Sequence, residues 1–127
     1  MSRITYYTDP NNKPAGFSPG VRAGNLVFIS GQVSLDSDGA LVGEGDCKEQ
    51  AKQCFQNIES IVTCSGGSLD DIVKITSFMV NSRDYPDYAK VRQNLFPNDG
   101  PASSTVFING LVDHRFLIEI EAIANID

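Results

Sequence analysis

Apolar residues alternate with polar ones near the end of this chain. In 115–126 (RFLIEIEAIANI), Phe116, Ile118, Ile120, Ala122, Ala124 and Ile126 fill every even position. A period of two predicts a strand with one buried face. Its odd positions carry Glu119 and Glu121, so both carboxylates point away from the apolar row. Residues 70–80 (DDIVKITSFMV) are apolar on both faces, the pattern of a central strand. Residues 25–30 (NLVFIS), bounded by Gly24 and Gly31, and 104–108 (STVFI) also predict strands. The polar stretch after the first of these predicts a hairpin or loop around Asp38–Gly39.

Elsewhere the period is helical. Ala51, Cys54, Phe55, Ile58, Ile61 and Val62 recur at three- and four-residue spacing. That helix starts near Asp46, which with Glu49 forms a capping-box pattern, and it stops at Gly66–Gly67. A second helix covers about 84–95. Pro86 sits in its first turn, Tyr88, Val91 and Leu95 form its stripe, and Pro97 ends it. Two helices and five or six strands predict an α+β sheet with both helices on one face. The other face carries Glu119 and Glu121, but Leu117 and Ile123 make it too apolar for water. Oligomerisation through that face is the natural solution.

Composition narrows the function. The chain has 127 residues, 41% hydrophobic and 20% charged, as expected of a single globular domain over 1–127. Its formal net charge of −6 disfavours a nucleic-acid partner, and no Lys/Arg run relieves it. The N-terminal residues lack an apolar signal core, and no stretch approaches the about 20 apolar residues that span a bilayer. A cytoplasmic location without a membrane partner is expected. Cys47, Cys54 and Cys64 fall in one helix with no paired-cysteine motif, so a metal site or disulfide framework is not expected.

Glu119 leads the candidate chemistry. A carboxylate inside an apolar strand is costly to bury without partners. It is either a general acid/base that holds a water, or a carboxylate paired across a subunit interface. Ser30 and Gly31 follow a strand, where backbone amides can grip an oxygen or simply form a bulge. His114 is the only histidine, and a turn between Asp113 and Arg115 suits a solvated side chain better than a catalytic one. No hydrolase triad and no glycine-rich phosphate loop is present. An anionic substrate would need an arginine, a lysine or backbone amides. Arg92 stands beside its helix's apolar stripe, where it can border a cleft.

Four stretches carry a resemblance: AGFSPGVRAGNLVFISGQVS, QAKQCFQNIESIV with GGSLDDIVKITSFMVN, DYPDYAKVRQNLFPNDGPASSTV, and LIEIEAIA. In this order, from about 13 to 125, they resemble the Rid (reactive intermediate deaminase, YjgF-like) family. The resemblance implies the chorismate-mutase-like (YjgF-type) α+β fold, a mixed six-stranded sheet with two helices packed on one face. It implies a homotrimer around a central barrel, with small-molecule clefts between subunits and no cofactor. The best-known members hydrolyse enamines and imines such as 2-aminoacrylate. Glu119 matches the family glutamate that holds the water. Ser30 and Gly31 match the serine and glycine at the cleft. Phe17 matches a tyrosine that closes the cleft from the neighbouring subunit.

The chain departs from that pattern. Ser103 stands where the deaminases carry a carboxylate-gripping arginine, Phe17 lacks the phenol oxygen, and Ala89 stands where many members have an asparagine. The stretch 78–101 also resembles the aminomuconate deaminase branch, which keeps the arginine. Three functions remain open: an enamine/imine deaminase of altered specificity, a non-catalytic metabolite-binding trimer, and an endoribonuclease or translation inhibitor. For the first, Glu119 would position water, Ser30, Gly31, Ser103 and Thr105 would line the pocket, and Arg92, Arg115 or Arg22 would replace the missing cation.

Overall fold

The alternation in 115–126 becomes a strand only from Ile118 onward, because Phe116 and Leu117 belong to the approach to it. In the computed structural model, which describes residues 3–127, the order is β1 (Ile4–Tyr6), β2 (Gly20–Ala23), β3 (Leu26–Gln32), α1 (Cys47–Cys64), β4 (Ile72–Met79), α2 (Tyr85–Leu95), β5 (Ala102–Phe107) and β6 (Ile118–Asn125). Single 3-10 turns at 69–71 and 82–84 lead into β4 and α2. The six strands form one mixed sheet in the order β1-β2-β3-β6-β4-β5. Only β4 and β5 run parallel. A parallel pair needs a crossover, and α2 supplies it.

Both helices pack on one face of the sheet. Ala51, Cys54, Phe55, Ile58, Ile61 and Val62 of α1 are buried with Tyr88 and Val91 of α2, against Val27, Ile75, Ile118, Ile120, Ala122 and Ala124 of the sheet. Leu95 departs from the predicted stripe: it stays partly exposed beside α1. Asp46 caps α1 by accepting from the Glu49 N–H at 3.2 Å. The capping box is only half formed. The Asp46 N–H donates to the Gly43 carbonyl, and the Glu49 carboxylate pairs with Lys52 instead. Gly66, at φ +96°, ends the helix in the left-handed region.

Leu117 corrects the expected composition of the open face. It packs against the helix-side core, and the apolar part of the open face comes from Phe28, Phe78, Val106 and Ile123. These belong to registered pairs: Phe28 faces Ile123, and Phe78 faces both Glu119 and Val106. Phe28 and Val106 are each more than 40% exposed in the single chain.

Gln50 fixes the approach to β6. Its amide is fully buried. Nε2 donates to the carbonyls of Gly43 and Arg115, and Oε1 accepts from the Leu117 N–H at 2.8 Å. Gln50→Ala strands all three backbone groups. We expect a loss of about 2–4 kcal/mol in urea denaturation, with the slope against denaturant unchanged.

Candidate functional site

In β5 the side chains of Ser103, Thr105 and Phe107 share one face. Their register partners on β4 are Ile75, Ser77 and Met79, all buried beneath the helices. β5 is the edge strand, so its helix-side residues emerge beside α2 instead of entering the core. Together with Ser82, Tyr85 and Arg92 they line a cleft of about 630 Å³. Tyr85 and Arg92 are seven residues apart, two helical turns, and therefore lie on one side of α2. Arg92 Nη2 donates to Tyr85 Oη at 2.9 Å, and Nη1 donates to Ser103 Oγ at 3.3 Å. The guanidinium carbon lies 5.6 Å from the Tyr85 ring centroid and 5.1 Å from that of Tyr88. Tyr88 is held in turn by a hydrogen bond with Ser77 and by stacking on Phe55.

Glu119 lies elsewhere. It projects from the open face of β6, half-buried, with its carboxylate against the backbone of Gly31. A Cβ at Gly31 would overlap Glu119 Oε2 and sit 2.8 Å from Cδ. The glycine is required there for space. Between Ile29 and Gln32 the pairing with β6 slips by a residue, forming a bulge that carries Ser30 and Gly31 past Glu121. The Ser30 hydroxyl donates to the Ser18 carbonyl at 2.6 Å, which fixes its oxygen as an acceptor toward any ligand. Among the described residues, Glu119 has no cationic partner. Burial first, then the Glu121 charge, raise its pKa above the usual carboxylate range. Phe17, 61% exposed, shares with Gly31 a separate depression of about 470 Å³.

The candidate residues thus form two groups within one chain. Arg92, Ser103 and Thr105 gather on the helix side of the sheet edge. Glu119 and Gly31 meet on the opposite face, two strands away, with Phe17 near Gly31. Tyr85, Ser82 and Phe107 are cleft residues that the sequence reading missed. Ala89 does not line the cleft; Tyr85 does.

Arg115 and Arg22, the other two candidate cations, are committed. Arg115 forks onto Asp113 with contacts of 3.1 and 2.8 Å, which holds the Asp113 carboxyl well below its usual range. Arg22 donates to the carbonyls of Gly24 and Ile126. Neither lines the Arg92 cleft. The His114 side chain is 93% exposed, which leaves it the solvated turn residue the sequence suggested. Burial pushes the Cys47 thiol up to about 12 and raises that of Cys54 as well, so neither is a ready nucleophile. No group of metal-binding side chains forms among the described residues, and none of their helices is long and apolar enough to cross a membrane.

Comparison with known proteins agrees with this architecture. The family model described as Endoribonuclease L-PSP matches residues 10–126. A RutC family protein of Pyrococcus abyssi is 34% identical over 125 residues, covering 98% of each chain. A protein of Dermatophagoides farinae named 2-iminobutanoate/2-iminopropanoate deaminase is 33% identical over 116 residues, 91% of this chain and 90% of its own. The crystal structure of RidA from an Antarctic Psychrobacter superposes with a TM-score of 0.85 at 31% identity, over 97% of this chain and 99% of that one. The chain shares its fold with that Psychrobacter protein, and it belongs to the Endoribonuclease L-PSP family, the family of the YjgF, RutC and Rid proteins.

Proposed function

We propose that this protein hydrolyses small enamine and imine carboxylates to a carbonyl compound and ammonia, in clefts shared between the copies of a homotrimer. Glu119 carries the reading. A half-buried carboxylate without a counter-charge, its pKa raised by burial and by Glu121, is suited to exchange protons with a bound water. The name of the mite relative supports the substrate class. The separation of Glu119 from the Arg92 cleft within one chain supports completion of the site by a second copy. Phe28 and Val106 on the open face support an assembly around a central barrel.

The chemistry balances with water and one solvent proton, the proton that the enamine carbon takes up. An enamine first gains a proton on carbon to become the iminium ion. Water oxygen bonds to the iminium carbon while Glu119 takes one of its protons. Glu119 then returns that proton to nitrogen. The C–N bond breaks, the hydroxyl proton is lost as the carbonyl forms, and the products are a carbonyl compound and ammonium. Gly31 leaves the space that the carboxylate occupies, which holds it in one place for both proton transfers.

The test is ammonia release from freshly generated 2-aminoacrylate and 2-iminobutanoate. The reading predicts rates clearly above spontaneous hydrolysis. Rates equal to background, alongside tight binding of 2-oxobutanoate, would establish the second reading, a trimer that binds a metabolite without turnover. Ser103 in place of the family arginine is the observation that favours that alternative. The net charge of −6 opposes RNA cleavage, which would require a steeply salt-dependent RNA affinity.

A further inference from the structure

Arg92 is a cation aimed into a cleft with neutral partners only. Its two bonded side chains are hydroxyls, those of Tyr85 and Ser103. Among the described residues it pairs with no carboxylate. Two tyrosine rings flank it, and Tyr88 is fixed from below by Ser77 and Phe55. A guanidinium has five N–H donors, and these two bonds use two. The remaining donors belong to the cleft lining that Arg92 shares with Thr105 and Ser82, with Phe107 as an apolar wall. Such a fork matches a carboxylate bidentately.

We infer that Arg92, delivered from α2 and not from the strand, is the anion-binding group of this cleft, and that its ligand is a small 2-oxo or 2-imino monocarboxylate with a short apolar chain toward Phe107. Tyr85 is a positioning residue that holds the fork. This deepens the hydrolase reading and rests on it for the imino form, but binding can be measured without turnover. Ser103 Oγ already sits 3.3 Å from Arg92 Nη1. A second guanidinium there would meet the first, so Ser103→Arg alone does not improve anion binding. It does so only once Arg92 is removed.

The test is calorimetric titration of the intact protein with 2-oxobutanoate, with 2-butanone as the uncharged control and inorganic phosphate as the competing anion. Arg92→Gln weakens 2-oxobutanoate binding about 10- to 100-fold, and Arg92→Lys gives an intermediate value. Arg92→Gln/Ser103→Arg recovers binding that Arg92→Gln has lost, while Ser103→Arg alone binds no better than wild type. Tyr85→Phe raises KM several-fold with kcat and melting temperature unchanged. Equal 2-oxobutanoate binding by wild type and Arg92→Gln overturns the inference, as does phosphate or 2-butanone binding as tightly as 2-oxobutanoate. If Arg92→Gln fails to fold, Arg92→Lys and the double variant decide. Arg92-dependent binding without ammonia release leaves the anion site standing and removes the hydrolase reading. Ammonia release that ignores Arg92 does the reverse.

Discussion

Glu119→Gln is expected to lower kcat about 10²- to 10⁴-fold, the usual contribution of a positioned acid/base, while 2-oxobutanoate binding persists. The amide keeps the shape of the side chain and cannot accept the water proton. Stability moves the other way. Burial and Glu121 raise the folded-state pKa of Glu119. In the window between its unfolded and folded pKa, the folded state therefore holds more protons than the unfolded one. Stability falls as pH rises through that window. Gln carries no such penalty, so the variant melts no lower than wild type at neutral pH, and its melting temperature varies less on acidification. In the wild type, kcat/KM climbs along an acid limb centred above the usual carboxylate range, and the variant lacks that limb. A melt and a pH–rate profile check both. A variant that is inactive and also much less stable would mean that Glu119 is structural.

Gly31→Ala is expected to cost about 10- to 100-fold in kcat/KM, because small misplacements of a reacting group are that expensive. The methyl would occupy the space of the Glu119 carboxylate. The carboxylate is the end of a flexible side chain, so it moves and the backbone need not. The fold is retained, and circular dichroism and the melting temperature stay near wild type. The loss is chemical, which separates this variant from Gln50→Ala, whose loss is in stability. Wild-type kinetics in Gly31→Ala would show that Glu119 works from another position.

What the sequence disclosed follows from how local each signal is. β6 and α1 carry long unbroken periods, and their buried faces are the ones the alternation predicted. β1 and β2 have three and four residues, too few to show a period, and they exist because β3 offers them an edge. Leu117 follows the alternation but is captured by the Gln50 amide before the strand begins. Glu119 was legible because a carboxylate in an apolar strand demands a reason. Gly31 was legible as a strand-end glycine, but its reason, the space above it, required the β3–β6 register. Arg92 was half legible, as a residue beside an apolar stripe. Tyr85, Ser82 and Phe107 were not. Their common cleft depends on β5 being an edge strand, and strand order is set by long-range pairing that no local pattern encodes.

The claim that the site is completed by a second copy is tested most directly by mixing two damaged proteins. Glu119→Gln keeps the Arg92 half, and Arg92→Gln keeps the Glu119 half. The two are unfolded together, refolded as an equimolar mixture, and assayed for ammonia release at low 2-iminobutanoate. If each cleft takes one half from each of two copies, random assembly restores about one quarter of the clefts, and activity rises well above the average of the separately refolded parents. If the mixture stays at that average, both halves must act within one chain, and the shared cleft is wrong.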